Sequence, residues 1–287
     1  MKSFLQKYKF IAILFANLLF CSLGFTDSKP VAFRNGWNTA EIKGIRADLS
    51  SEELDISSIY GDKIIVEIAT RNPQKIPTVA LKEGILTVTS QKKQNFLLGQ
   101  EPEVKIFIPH DFTLEECSIK SASGDVDIEN FSSKKLFVSV ASSSVDIENA
   151  TIAEDFCAKS ASGKIDVEKI KSQQIKINSA SGELSAEEIL ADTFDISTTS
   201  GKISVFLLKE PKNVSKISSL SGQIELEVPY ATAFSADVTT KSGYFSDKIN
   251  RNSFSPKGKT TVDFNGGGQK IELSSVSGKI SVEYEEM

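Results

Sequence analysis

The chain has 287 residues, 40% of them hydrophobic and 25% charged, with a formal net charge of -5. That composition supports a packed core, and with no strongly basic half it excludes nucleic acid as a partner class. The one histidine, His110, leaves no set for a histidine metal cluster or a triad with a spare base. It follows Pro109 at a strand end and reads as a solvated loop residue.

Lys2, Lys7 and Lys9 precede the apolar run Phe10 to Phe20, and the small residues Ser22 and Gly24 follow before Phe25. A charged head, a short apolar middle and a small-residue exit predict a secretory signal peptide over residues 1–24. The run is short for a membrane span, and no later segment is apolar enough for one. The mature chain is therefore expected in the periplasm, cell envelope or cell surface, without a transmembrane span. Cys21 would be the site of a lipid anchor, but lipoboxes place a small residue before the cysteine, and Phe20 stands there.

Residues 25–116 are irregular but rich in strand signals. Residues 64–68, 85–89 and 104–108 are apolar and β-branched, the last stopped by Pro109. Gly84 precedes Leu86 and Val88 at the offsets that recur later in the chain, which predicts degenerate rungs and a cap. Asn72-Pro73, Ile76-Pro77 and residues 91–100 read as loops.

From residue 117 onward the chain repeats. Ser121-Ala122-Ser123-Gly124-Asp125-Val126-Asp127-Ile128-Glu129 returns around Gly163, Gly182, Gly201, Gly222, Gly243 and Gly278, and Ser143 takes the glycine slot of one further copy. The steps are 19, 20, 19, 19, 21, 21 and 35 residues, the period of a stacked architecture. Two residues after the slot stand Val126, Val145, Ile165, Leu184, Ile203, Ile224, Phe245 and Ile280. Apolar residues recur four after it and five before it. Spacing by two is the strand period, so each copy predicts strand, sharp bend, strand. A unit this short cannot bury its own apolar face and must stack on its neighbours. The fold expected is all-β: a single-chain parallel β-helix or β-solenoid with rungs of about 19–21 residues, residues 117–287 continuing the earlier part without a break.

The slot glycines Gly124, Gly163, Gly182, Gly201, Gly222, Gly243 and Gly278 are read as structural bends needing positive φ, which predicts strain at Ser143. A serine precedes every slot. Eight equivalent serines make a structural corner, since a nucleophile needs one serine beside a base. Cys117 and Cys157 fall two rungs apart, about 10 Å by strand spacing, at positions that point to opposite faces. They are expected to remain unbridged, with Cys117 in the core.

Residues 187–191 have room for one helical turn between rungs, and residues 251–259 read as a polar loop. Gly266-Gly267-Gly268 leads into a strand, whereas a phosphate loop needs a helix after it.

Asp127, Asp146 and Asp166 lie three residues after their slots, and Glu129, Glu148, Glu168, Glu187 and Glu227 lie five after. These positions alternate with the buried ones, so they predict two outward carboxylate columns with members about 5 Å apart. Such oxygen arrays suit Ca²⁺ at Asp127, Asp146 and Asp166. They also suit a solvated face that deters sheet aggregation. No cofactor is otherwise expected.

Residues 104–109 followed by Ser118 to Val126, with the ending Gly266 to Ile280, resemble the "putative adhesin" family of bacterial β-strand-repeat proteins of unknown function. The resemblance covers nearly all of the mature chain and implies a β-solenoid associated with the cell envelope, with no catalytic residues to carry over. The expected function is non-enzymatic binding of an extended polymer or protein at the envelope, with Glu129, Glu148 and Glu168 on the binding face. The alternatives are a β-helix polysaccharide lyase or hydrolase and a self-assembling envelope scaffold. An enzyme of that kind needs an arginine or lysine base beside the acids and long loops walling a cleft. The repeats carry no arginine before Arg251.

Overall fold

The computed structural model describes residues 29–91, 101–256 and 258–285. The expected signal segment 1–24, Cys21 and most of the 91–100 loop lie outside the described residues. Among the described residues 21 strands join in one hydrogen-bonded sheet, interrupted by the 3-10 turns Thr39–Glu41 and Pro73–Lys75. The all-β solenoid is what the sequence periodicity predicts.

The middle of the stack follows the sequence repeat. Val126, Val145, Ile165, Leu184, Ile203 and Ile224 pair in parallel register, rung on rung, and none is more than 1% exposed. Each buried aliphatic side chain of this kind contributes about 1.5–3 kcal/mol, and the gain is available only when the next rung covers it. Four strands, Val126–Val140, Val145–Ser162, Ile165–Ser181 and Leu184–Ser200, each run through nearly a whole rung. They turn through a second corner six residues after the slot, at Asn130, Asn149, Lys169 and Glu188, with φ of 52, 54, 55 and 52°. The helical turn expected near residues 187–191 is this left-handed corner inside a strand.

The slot glycines have a different reason from the one expected. Gly163, Gly182, Gly201 and Gly278 have φ between 133 and 149°. Gly124, Gly222 and Gly243 do not have positive φ, and neither does Ser143, so the strain expected at Ser143 is absent. What the seven glycines share is contact. A Cβ on any of them would lie 1.9–2.2 Å from the carbonyl oxygen of the slot residue in the neighbouring rung. At these glycines successive backbones come closest, and a side chain would force the rungs apart, while the Ser143 slot admits a small one. In the regular part each glycine N–H also donates across the corner, as from Gly163 to the Ser181 carbonyl at 3.3 Å and from Gly182 to the Ser200 carbonyl at 3.2 Å.

The serines just before the slots are all exposed. At four of the corners a buried hydroxyl three residues before the slot bonds the bend backbone, at Ser121, Ser179, Thr198 and Thr240, whereas Ser160, Ser219 and Ser275 in the same column make no such bond. Ser121 Oγ donates to the Gly124 carbonyl at 2.8 Å, Thr198 Oγ1 to the Ser200 carbonyl at 3.1 Å, and Thr240 Oγ1 accepts from Gly243 N–H at 2.8 Å.

Both ends of the stack leave sequence order. At the N-terminal end, Gly44–Leu49 and Glu53–Ile59 form a rung with Glu52 in the glycine slot. This rung lies between the Gly124 rung and an outer one made by Ile85–Thr89 and Glu103–Pro109. Glu52 is 0% exposed. Its Oε2 accepts from the backbone N–H groups of Ser50 and Ser51 at 2.9 and 3.0 Å and from Ser90 Oγ at 2.5 Å. Gly84 is thus no slot glycine. It turns the antiparallel hairpin of Thr78–Lys82 with Ile85–Thr89, beside Glu83. Lys63–Ala69 and then Val31–Asn38 close the other side in antiparallel fashion.

At the C-terminal end, Gln269–Ser277 and Lys279–Tyr284 insert between the Gly222 rung and the Gly243 rung. The expected 251–259 loop contains the strand Asn252–Phe254 and the start of Gly258–Phe264, which cap the outermost rung in antiparallel pairing. Antiparallel hairpins supply these covers locally, where a parallel partner would need another whole rung.

Candidate binding face

The repeat frame sets the geometry of the acidic columns. Asp127, Asp146 and Asp166 are direct register partners, as are Glu129, Glu148 and Glu168. Glu187 extends the second column. Asp55, which the sequence reading missed, adds a fourth carboxylate to the first column by pairing with Asp127. The signal for it was present, since Leu54-Asp55-Ile56 repeats the pattern of Val126-Asp127-Ile128.

Crowding shows in the proton affinities. Burial, then Asp55 and Asp146, push the Asp127 carboxyl above the usual aspartate range. Burial, then Asp166, raise Asp146, with Lys164 opposing. Glu227 is raised by burial and then by Glu283 and Glu225. Lysines relieve part of the face. Lys164 pairs with Asp166, and Lys169 pairs with Glu168 while lying 3.9 Å from both Glu148 and Glu188. Lys105 bridges Glu103 at 2.7 Å and Asp55 at 3.4 Å. Toward the C-terminal end the pairing is closer to one for one, with Lys202 to Glu225 at 2.6 Å and Lys248 to Glu283 at 2.5 Å. Among the described residues Asp127, Asp146 and Glu129 have no cation within ion-pair distance. At the N-terminal end of the columns, Asp55, Ser57, Lys105, Phe107, Asp127 and Glu129 line a shallow cleft of about 330 Å³.

Stacked carboxylates point side by side. Among the described residues no group of three or more His, Cys, Asp or Glu converges as a metal-binding set. His110 is exposed at the end of Glu103–Pro109, with its ring 6.3 Å from that of Tyr60. Cys117 and Cys157 are both free, Cys117 buried and Cys157 half-buried. Burial pushes the Cys117 thiol up to about 12. No helix among the described residues is long and apolar enough to cross a membrane.

Fold and face together define a capped parallel β-solenoid with one side of patterned charge. The chain belongs to the Toastrack DUF4097 family, whose profile matches residues 42–283. Its fold is shared with a solved protein named a putative adhesin from Bacteroides fragilis, with a TM-score of 0.55, 19% identity, and coverage of 90% of this chain and 100% of that one. A second protein named a putative adhesin, from Parabacteroides merdae, has a TM-score of 0.50 and 14% identity over 90% of this chain and 97% of that one. No curated protein matches the chain.

Proposed function

We propose that this protein is an exported, non-enzymatic solenoid of the cell envelope or cell surface that binds an extended partner along its acidic columns. The observation that carries the reading is the run of in-register carboxylates from Asp55 to Asp166, part of which has no cationic partner among the described residues. A side that repeats the same group about every 4.8 Å suits a polymer or an extended chain, because many weak equivalent contacts add by avidity. Cationic groups on such a partner would oppose the repulsion that, after burial, raises Asp127 and Asp146. The names of the two structural neighbours agree with a binding role.

The test is binding of the purified mature chain to cell-envelope material in co-sedimentation, with turnover assayed in parallel on polysaccharide and ester substrates. Binding is expected without turnover, and Asp127→Asn, Asp146→Asn, Asp166→Asn together should weaken it. An arm with millimolar Ca²⁺ and one with chelator separate direct contact from ion bridging. Polysaccharide cleavage abolished by the triple change would replace this reading with the enzyme alternative.

A further inference from the structure

The C-terminal rung sits in the stack as an insert. Gln269–Ser277 lies between Ser215–Ser221 and Phe234–Thr240, and Lys279–Tyr284 lies between Ile224–Val228 and Tyr244–Asp247. Both neighbours of the insert precede it in sequence. They face each other across the space it fills. The insert has no direct covalent link to the rungs on either side. It is tied to the chain through Asn265–Gly268, which leaves the outermost strand Gly258–Phe264, crosses over the end of Phe234–Thr240 and enters the stack on the far side.

That crossing is tight. Asn265, Gly266 and Gly267 all have positive φ, at 51, 91 and 78°. A Cβ on Gly267 would lie 3.1 Å from Asp263 Oδ1 and Ser235 Oγ, and one on Gly268 would lie 2.7 Å from the Ala233 carbonyl oxygen. The glycine triplet is therefore a hinge that allows four residues to step over a strand. Short, tight hinges beside an element held only by side-to-side contacts favour exchange of that element between copies.

We infer that the rung of residues 269–284 can be donated to a second copy of this chain, giving a closed, strand-exchanged dimer. In the dimer each insert fills the partner's slot with the same contacts: Ile271, Leu273, Ile280 and Val282 are again buried, and the slot-to-slot approach of Gly278 to Gly222 is again made. The net change is at the hinge, which no longer has to fold back over its own strand and can extend. The tether raises the local concentration of the chain's own insert to about the millimolar range, so the monomer prevails in dilute solution and exchange requires crowding or passage through an open state. A two-fold exchange closes on itself, so it yields dimers and not filaments. The inference is independent of the acidic face.

The test uses register partners on the outer side of the stack. Lys216 and Glu272 are paired across the insert boundary. Chains bearing Lys216→Cys or Glu272→Cys, each with Cys157→Ser, are mixed, unfolded and refolded together at high concentration, then oxidised. Exchange predicts a covalent dimer whose disulfide maps to residue 216 of one chain and residue 272 of the other. The same two cysteines placed in one chain and refolded dilute should give an internal bridge, which confirms the register. Gly266→Val with Gly267→Val penalises the left-handed hinge and leaves an extended one unstrained, so it should raise the dimer fraction about tenfold or more. A double-cysteine chain that bridges internally, mixed chains that give no 216–272 dimer, and a hinge variant that stays monomeric would overturn the inference.

Discussion

The central rungs and the C-terminal rungs share a backbone but not a charge pattern. From Asp55 through Asp127, Asp146 and Asp166 the third position after the slot is always acidic. From the next rung it becomes Ser185 and Ser204, and where an acid returns there, at Glu225, it is matched by Lys202, as Glu283 in the second column is matched by Lys248. The apolar columns and the slot contact run through both regions, interrupted only locally, as at the Ser143 slot and at Asp247 beside Val282. What every rung repeats is what stacking requires. What only the central rungs repeat is free to serve something else, and that separates the candidate face from the architecture.

The sharpest way to break the architectural half of this comparison is a side chain in the slot. Gly182→Val places a branched side chain where a Cβ would lie 2.1 Å from the Gly163 carbonyl oxygen, and the loss should be about 3 kcal/mol or more by denaturant titration. Ser143→Gly, by contrast, relieves no backbone strain and should change stability by less than about 1 kcal/mol. An equal, small effect at both sites would mean that rung spacing is not set by the slot.

A charge inside the C-terminal cap should behave oppositely to the central acids. Asp237 is buried, and its pKa is held below the usual range by Thr261 Oγ1 donating at 2.6 Å and then by Lys259 at 2.9 Å. Its folded pKa is depressed, so its contribution is present above the unfolded value and disappears as pH falls through the folded one. Asp237→Ala should cost about 1–3 kcal/mol at pH 7, with the difference from the parent shrinking in acid. The central acids have the reverse sign. Asp127 and Asp146 bind their protons more tightly in the folded chain, so their presence lowers stability as pH rises from the unfolded value through the raised folded one. Asn at both positions should leave the melting temperature at pH 7 unchanged or slightly higher and should flatten its pH dependence through the carboxylate range.

The second corner gives an effect of intermediate size. Glu188 has φ of 52°, a conformation that suits glycine better, so Glu188→Gly should stabilise by about 1 kcal/mol. A loss of stability there would show that the Glu188 side chain matters more than its backbone.

How much could be read in the sequence follows the same division. The middle was legible because stacking demands the same residue type at the same offset, and the columns from Val126 to Ile224 satisfy that demand openly. The acidic columns and the separation of Cys117 from Cys157 follow from the same frame. The ends were not legible for particular reasons. Glu52 replaces glycine in the first slot and hides that rung, with its Oε2 held by Ser50, Ser51 and Ser90. Gly84, with apolar residues at the right offsets, imitates a slot but turns a hairpin. The order of the outer rungs depends on long-range pairing, which spacing along the chain cannot specify. The left-handed corner was half visible, since Asn130 and Asn149 are residues that tolerate it, while Lys169 and Glu188 give no such sign.

The central claim is that the carboxylates of the middle rungs form a binding face and do not act through bulk charge. Two variants with the same charge change decide it: Asp127→Asn, Asp146→Asn, Asp166→Asn in the middle, and Glu225→Gln, Glu227→Gln, Glu283→Gln in the C-terminal rungs. In co-sedimentation with cell-envelope material at physiological salt, the first should lose most of its binding while the second retains it, both remaining folded. Equal loss in the two variants, or binding untouched in the first, would contradict the claim.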